Sequence, residues 1–286
     1  NRKIRGLLKT QRDEGGDDGA QPDVLGEFES VAAPEMKQED AEVAPPWFVA
    51  RDKPSSVTLR LHEELLDLAE FLKPRPYEQD ARWGWASTIE AAARDLWPRC
   101  GVHVFGSTAT GLGLPCADVD VAVTEVEGLR VTTAMKKLAE RLLERQEVSR
   151  VEIVQSARVP VMKVQHRSTG IWADVVINRR DGLETTQFIC GQLQAFPALG
   201  PLVLFMKIFL LQRRLQETFS GGMGSYVLVC IVLSFLQRHP SARLSRVHST
   251  ASLGQLLLDM LKYYGHEFRY GTSGISVRGG GSIFDR

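Results

Sequence analysis

The chain has 286 residues, 43% of them hydrophobic and 24% charged, which predicts packed cores and excludes a chain that is disordered throughout. Basic and acidic residues balance at 35 each, but acids are concentrated in residues 13–42, so the remainder is mildly basic and compatible with a polyanionic partner. Apolar runs are too short to span a membrane, and the four cysteines are scattered, so we expect a soluble protein in a reduced, intracellular setting.

Residues 1–46 open with the basic cluster "NRKIRGLLKTQR" and continue through an acidic stretch with glycine and proline. Little in this segment repeats with helical or strand period, so it predicts a mostly disordered acidic tail. The basic cluster fits a nuclear-import signal or a solvated tail equally well. Because the chain begins at Asn1 and not at Met, we also expect a fragment or a processed form.

Helical and strand patterns follow in blocks. Residues 59–72, with Ser56 as a plausible cap, and residues 87–97 predict two helices. Short apolar runs then predict four or five strands, interrupted by one helix at 130–146: "VHVFG", "VDVAV", "RVEIVQ", "VPVMKVQH" and "IWADVVIN". Four more helices are predicted at 183–195, 200–216, 225–238 and 252–263.

This order predicts an α+β (α/β) fold with a small mixed sheet. We expect a catalytic domain over residues 98–180. A mostly helical central domain would combine residues 47–97 with residues 181–286.

Two aspartates, Asp118 and Asp120, stand one residue apart at the start of the predicted strand "VDVAV". Residues i and i+2 of a strand point to the same face, so the two carboxylates would repel unless a cation lies between them. Asp174, in the apolar strand "IWADVVIN", is the best third ligand. The alternative is a turn whose acids face water, but it does not explain all three features, so we expect a Mg²⁺ site.

Several weaker signals accompany the acids. Gly106 and Ser107 follow a strand, and a glycine there lets backbone approach a phosphate. Lys207 lies in an apolar helix, where a lysine usually reaches the surface. Ser225 and Tyr226 begin a helix, a position that suits a simple cap or an anion site with a stacking aromatic. Lys207 and this helix start would together hold a triphosphate opposite the carboxylates.

With these motifs in order over roughly residues 45–282, the chain resembles the nucleotidyltransferases of the DNA polymerase β superfamily. The likeness is carried by "PPWFVARDKPSS", "VFGSTATGLGLPCADVDVAV", "ADVVIN", "KIFLLQRRLQETFSGGMGSYVLV" and "LGQLLLDMLKYYGHEFRYGTSGISVRGGG". Within the superfamily it resembles the Trf-type noncanonical poly(A) polymerases that serve the TRAMP complex. Two departures, Thr185 in place of an asparagine and Leu211 in place of a second lysine, favour adenylyl over uridylyl transfer.

The resemblance implies specific roles for the residues that match. Asp118, Asp120 and Asp174 would hold two Mg²⁺ ions, with Mn²⁺ as a substitute. The implied nucleotide contacts are Gly106, Ser107, Gly182, Thr185, Lys207, Ser225 and Tyr226. A third departure, Cys116-Ala117 in place of a hydroxyl pair before Asp118, removes no metal ligand. The family's nucleotide-recognition loop follows "GISVRGGG", beyond the last residue given, Arg286.

The implied reaction is template-independent addition of AMP from ATP to RNA 3′ ends. A terminal uridylyltransferase and a catalytically inactive scaffold are the alternatives. The resemblance implies a zinc-knuckle RNA-binding protein and an RNA helicase as partners, no membrane, and a nuclear location, with mitochondria as the alternative.

Overall fold

The computed structural model describes residues 8–9, 45–51, 56–216, 218, 221–241 and 252–285. Its central feature is a six-stranded mixed sheet in the order β1-β4-β5-β6-β3-β2. The strands are β1 (Leu8–Lys9), β2 (Gly101–Phe105), β3 (Val119–Thr124), β4 (Val148–Val154), β5 (Val161–His166) and β6 (Trp172–Ile177). The five longer strands lie where the apolar runs predicted them, and the α+β fold is confirmed.

The sheet is parallel only where β1 meets β4 and where β3 meets β6. The remaining neighbours, β2–β3, β4–β5 and β5–β6, are antiparallel. The two-residue β1 comes from the segment predicted to be disordered, and residues 1–7 and 10–44 of that segment lie outside the described part of the chain.

Helices precede, interrupt and follow the sheet. They are α1 (Val57–Phe71), α2 (Pro76–Leu96), α3 (Gly106–Thr110), α4 (Val131–Glu144), α5 (Asp181–Ala195), α6 (Leu199–Gln212), α7 (Ser225–Arg238) and α8 (Leu253–Lys262). Ser56 caps α1 as predicted, since its hydroxyl accepts a hydrogen bond from the Leu59 N–H. Helix α2 begins eleven residues before its predicted start, because Pro76 takes the first helical position, where a missing N–H costs nothing.

The chain beyond α8 forms structure that the sequence did not predict. A π-helical turn over Tyr263–Glu267 leads to a hairpin of β7 (Ser273–Ser276) and β8 (Ser282–Asp285), with a short 3₁₀ turn at Arg278–Gly280 between the strands. The strands pair in antiparallel register.

The buried apolar residues form two clusters. One combines the sheet with α4 and with α2, which contributes Trp85, Ile89 and Ala92. The other combines α1 with α5 to α8. Helix α2 therefore packs on the sheet, whereas the sequence grouped it with the helical half. The reason is its run of small and apolar residues, which faces the strands.

No single helix in the described ranges is both long and apolar enough to cross a membrane. Helices α5 and α6 reach that length and composition only as a pair, and the pair is bent by 117°.

Candidate active site

Two of the predicted acids face each other across neighbouring strands. Asp120 on β3 is the register partner of Asp174 on β6, so their side chains project from the same face of the sheet. Asp118 lies just before β3. The segment that leads to it is held by the buried Arg82, whose guanidinium donates to the carbonyls of Pro115 (2.7 Å) and Ala117 (2.5 Å). The three predicted acids thus lie close together, towards the beginnings of the neighbouring strands β3 and β6.

The surroundings of the cluster disfavour the ionised forms of Asp120 and Asp174. Burial, and then the charges of Asp174 and Asp118, raise the pKa of Asp120 to about 7, although a hydrogen bond from the Ser107 backbone opposes this. Burial also raises the pKa of Asp174, although its hydrogen bond with Lys163 opposes the shift. Acids in this position gain most from a cation of high charge.

Lys163 on β5 is the register partner of Asp174 on the side opposite Asp120. Its Nζ lies 2.9 Å from both carboxylate oxygens of Asp174 and 3.7 Å from Oδ2 of Asp118. Burial lowers the pKa of Lys163, but the hydrogen bond and the charge of Asp174 outweigh this and raise it overall. Lys163 was not predicted from the sequence, because a lysine that alternates with apolar residues such as Met162 and Val164 is the ordinary pattern of a strand with one exposed face.

The short helix α3 begins against Asp120. Gly106 has φ +66°, and a Cβ there would lie within van der Waals overlap of an Asp120 carboxylate oxygen. The Gly106 N–H donates to the Thr186 hydroxyl at 2.9 Å, and the Ser107 N–H hydrogen-bonds Asp120. The sequence predicted free backbone N–H groups here for phosphate. Both the Gly106 and the Ser107 N–H groups are thus engaged within the protein, whereas the Ser107 side chain lines the neighbouring cavity.

A cavity of about 500 Å³ opens beside the acids, which is within the usual range of small-molecule sites. It lies between the sheet and the helical half of the chain. Eight residues predicted from the sequence line it: Gly106, Ser107, Asp120, Gly182, Thr185, Lys207, Ser225 and Tyr226. Asp118 and Asp174 adjoin Asp120 but are outside this lining.

Lys207 on α6 belongs to the cavity wall and is partly buried there. Its Nζ donates to the Leu112 carbonyl at 2.6 Å, and burial lowers its pKa, although the charge of Asp120 opposes this. Ser225 is the first residue of α7 and Tyr226 the second, and Tyr226 is 49% exposed as a residue. One cation and one accessible aromatic ring therefore face the same space.

Thr186 is a second residue that sequence reasoning missed. Besides accepting from Gly106, its hydroxyl donates to the Gly182 carbonyl at 2.8 Å, so it links α3 with α5. Gly182 lies so close to the Phe105 ring that a Cβ there would be 2.6 Å from it. These contacts between distant segments left no local signal in the sequence.

The donor set suits a hard divalent cation, since it consists of three carboxylates, and burial together with the charges of Asp174 and Asp118 raises the pKa of Asp120. Across the described residues, however, no three acidic, histidine or cysteine side chains already converge on one point as metal ligands. The ammonium of Lys163 contacts both carboxylate oxygens of Asp174 at 2.9 Å.

Two protein families match this chain. The family described as "Poly(A) RNA polymerase, mitochondrial-like, central palm domain" matches residues 61–192. The family described as "Cid1 family poly A polymerase" matches residues 252–286. The first match contains the three acids and most of the cavity.

The chain is 35% identical over 243 residues to the poly(A) RNA polymerase cid14 of Schizosaccharomyces pombe, a match covering 84% of this chain and 36% of that protein. It is 32% identical to the inactive non-canonical poly(A) RNA polymerase Trf4-2 of Drosophila melanogaster, covering 79% of this chain and 56% of that one. The chain thus spans about a third to a half of the length of these relatives.

Among solved structures, the polymerase core of TRAMP, an RNA surveillance complex, matches with a TM-score of 0.76 and 33% identity. That match covers 85% of this chain and 76% of the solved one. The Cid1 poly(U) polymerase solved with MgGTP bound has a TM-score of 0.68 at 19% identity, covering 79% of this chain and 80% of that one, which shows a shared fold.

Proposed function

The chain belongs to the Trf4/Cid14 family of noncanonical poly(A) RNA polymerases, and on this premise we propose that it transfers AMP from ATP to the 3′-hydroxyl of RNA without a template. The observation that carries the proposal is one cavity that joins Asp120 of the acid cluster to Ser107, Lys207 and Tyr226.

Each cavity residue has a role that its chemistry supports. Lys207 provides the positive charge for the triphosphate, and the Ser107 and Ser225 hydroxyls donate to phosphate oxygens. Tyr226, with its exposed ring, stacks on the adenine. Gly182 and Thr185 lie beside the ribose. These residues bind and orient the nucleotide so that the α-phosphate faces the acid cluster.

Asp118, Asp120 and Asp174 would hold Mg²⁺, with Mn²⁺ as a substitute. When bound, two such ions supply charge stabilisation for the attacking and leaving oxygens. The acids act as ligands and not as proton acceptors in this proposal. The Gly106 turn and the Ser107 N–H fix the carboxylate of Asp120 in place.

Adenine is favoured over uracil by two residues. Thr185 lines the cavity where the uridylyl-adding relatives have an asparagine, and Leu211 lies on α6 one turn beyond Lys207, where they have a second lysine.

The proposal extends to cellular context. A zinc-knuckle RNA-binding protein and an RNA helicase are the partners we expect, and the nucleus is the expected location, with mitochondria as the alternative. The TRAMP polymerase core is the structural relative that supports this.

The second candidate is a catalytically inactive scaffold, because one matched relative is named inactive. The complete set of three acids speaks against it, since burial and the charges of Asp174 and Asp118 raise the pKa of Asp120, and such a cluster is costly to keep without a cation.

The test is extension of a short RNA with a free 3′-hydroxyl, with Mg²⁺ and one nucleoside triphosphate at a time. The proposal predicts a ladder with ATP and much weaker extension with UTP, CTP or GTP. A ladder with UTP would instead identify a uridylyltransferase. Binding of ATP without extension of any RNA would favour the scaffold.

A further inference from the structure

Four charged residues lie in one row across the sheet. Glu152 on β4, Lys163 on β5, Asp174 on β6 and Asp120 on β3 are successive register partners. Opposite charges placed directly across a sheet attract, whereas like charges repel. Lys163 is therefore placed between two acids, Glu152 and Asp174, and the third pairing of the row, between Asp174 and Asp120, joins two negative charges.

The contacts of Lys163 are directed at the acid cluster. Its Nζ reaches both oxygens of Asp174 at 2.9 Å and Asp118 at 3.7 Å. The side chains are 36% exposed for Lys163, 24% for Asp174 and 40% for Asp118, so water reaches the group without surrounding it. A divalent cation can arrive there from solvent.

The ammonium contacts oxygens that the proposed function assigns to a metal ion. A carboxylate oxygen of Asp174 can contact both the Lys163 ammonium and a divalent metal ion only if these two cations lie close together. A singly charged ammonium and a doubly charged metal ion repel each other strongly at such distances. The ammonium and the metal ion should therefore exclude one another from Asp174.

We propose that Lys163 is an internal counter-ion of the acid cluster, which binds Asp174 and Asp118 until a divalent cation displaces it. Lys163 is a positioning residue that acts through the two aspartates. It keeps the carboxylates together without metal and raises the cation concentration at which the site fills. This inference rests on the proposed function for the identity of the metal ligands.

The experiment measures Mn²⁺ binding by electron paramagnetic resonance, without nucleotide or RNA, in the wild-type chain and in Lys163→Met. Methionine keeps the apolar stem and removes the charge. We expect the half-saturating Mn²⁺ concentration to fall about tenfold, the size expected for removing a unit charge roughly 5 Å from a divalent ion in a wet site. In EDTA the variant should melt at a lower temperature than wild type, and Mn²⁺ should raise its Tm more.

Lys137→Met is the matched control, because Lys137 is an exposed lysine on α4 away from the cluster. It should leave both the Mn²⁺ affinity and the Tm shift unchanged. If Lys163→Met does not fold, Lys163→Arg decides. An arginine keeps the charge and a two-oxygen contact with Asp174, so its half-saturation should equal or exceed that of wild type.

Three results would overturn the inference. An unchanged Mn²⁺ affinity in Lys163→Met would make the contact an ordinary surface ion pair. A weaker affinity would mean that Lys163 organises the ligands and does not compete with the metal. Tighter binding by Lys163→Arg than by wild type would also contradict it. The Mn²⁺ measurement does not depend on RNA extension, so the two proposals can fail separately. If the wild-type chain extends RNA but Lys163→Met has an unchanged Mn²⁺ affinity, this inference is disproved and the proposed function stands.

Discussion

Asp120 gives the site a measurable dependence on pH. Its pKa of about 7 in the fold lies above the ordinary value of 3.8, so the folded chain binds this proton more tightly than the unfolded chain does. The stabilisation is complete below about pH 4 and is lost as the pH rises towards 7. In EDTA, Asp120→Asn should therefore become more stable relative to wild type over this range, by on the order of 3 kcal/mol.

Urea unfolding at pH 5 and pH 8 measures this difference. Asp67→Asn is the control, because the hydrogen bond from Arg51 lowers the pKa of Asp67, so this carboxylate is ionised at both pH values and the variant should lose the same stability at pH 5 and at pH 8. A stability difference for Asp120→Asn that does not change with pH would contradict the electrostatic description of the cluster.

At the residue scale, the sequence predicted the parts of the site that break a local rule. Acids in apolar strands are conspicuous, which is why Asp120 and Asp174 could be found. Lys163 and Thr186 were missed because a lysine or threonine on a half-exposed face is ordinary. Their importance comes from register and from contacts between segments 80 residues apart, as for Thr186 and Gly106.

At the element scale, α3 ties the acid cluster to the cavity. Gly106 and Gly111 begin and follow this short helix with nearly the same φ, +66° and +71°. A Cβ at Gly106 would overlap the Asp120 carboxylate, whereas at Gly111 nothing lies within 4 Å. The two glycines therefore separate the effect of backbone strain from that of a clash.

Gly106→Ala should lower the rate of AMP transfer about 100-fold relative to Gly111→Ala, because it displaces Asp120 from its position. Both variants should lose roughly 1 to 2 kcal/mol from the left-handed backbone, and Gly106→Ala should lose more than Gly111→Ala because its Cβ also overlaps Asp120. Single-turnover extension rates and thermal melting make the comparison. Equal rates in the two variants would show that the contact between Gly106 and Asp120 is unimportant.

Helices and strands could be predicted where their apolar residues recur with a clear helical or strand period. The predicted helix at 225–238 matches α7, and the apolar strands fall in place, because period and capping are local properties. Helix α3 has five residues, too few for a helical period to appear. The β7–β8 hairpin joins two strands of four residues through a glycine-rich turn, which carries no alternating apolar pattern.

At the scale of the whole molecule, the site depends on two cores. The sheet cluster supplies the acids, and the helical cluster supplies Lys207, Ser225 and Tyr226. The sequence pattern groups residues 47–97, and with them α2, with the helical half, since these residues have helical patterns and precede the strands. The packing of Trp85 and Ile89 against the strands places α2 with the sheet. Such packing is a tertiary property, which a local sequence pattern does not contain.

The measurement that tests the account most directly is incorporation of radiolabelled AMP into RNA by the wild-type chain and by Asp118→Ala/Asp120→Ala, both shown to be folded by circular dichroism. We expect the wild type to add AMP and the double variant to fall by at least about 1000-fold, because the charge stabilisation of the transferring phosphate depends on these carboxylates. Transfer by the folded double variant within tenfold of wild type would contradict the assignment of the acid cluster as the catalytic centre.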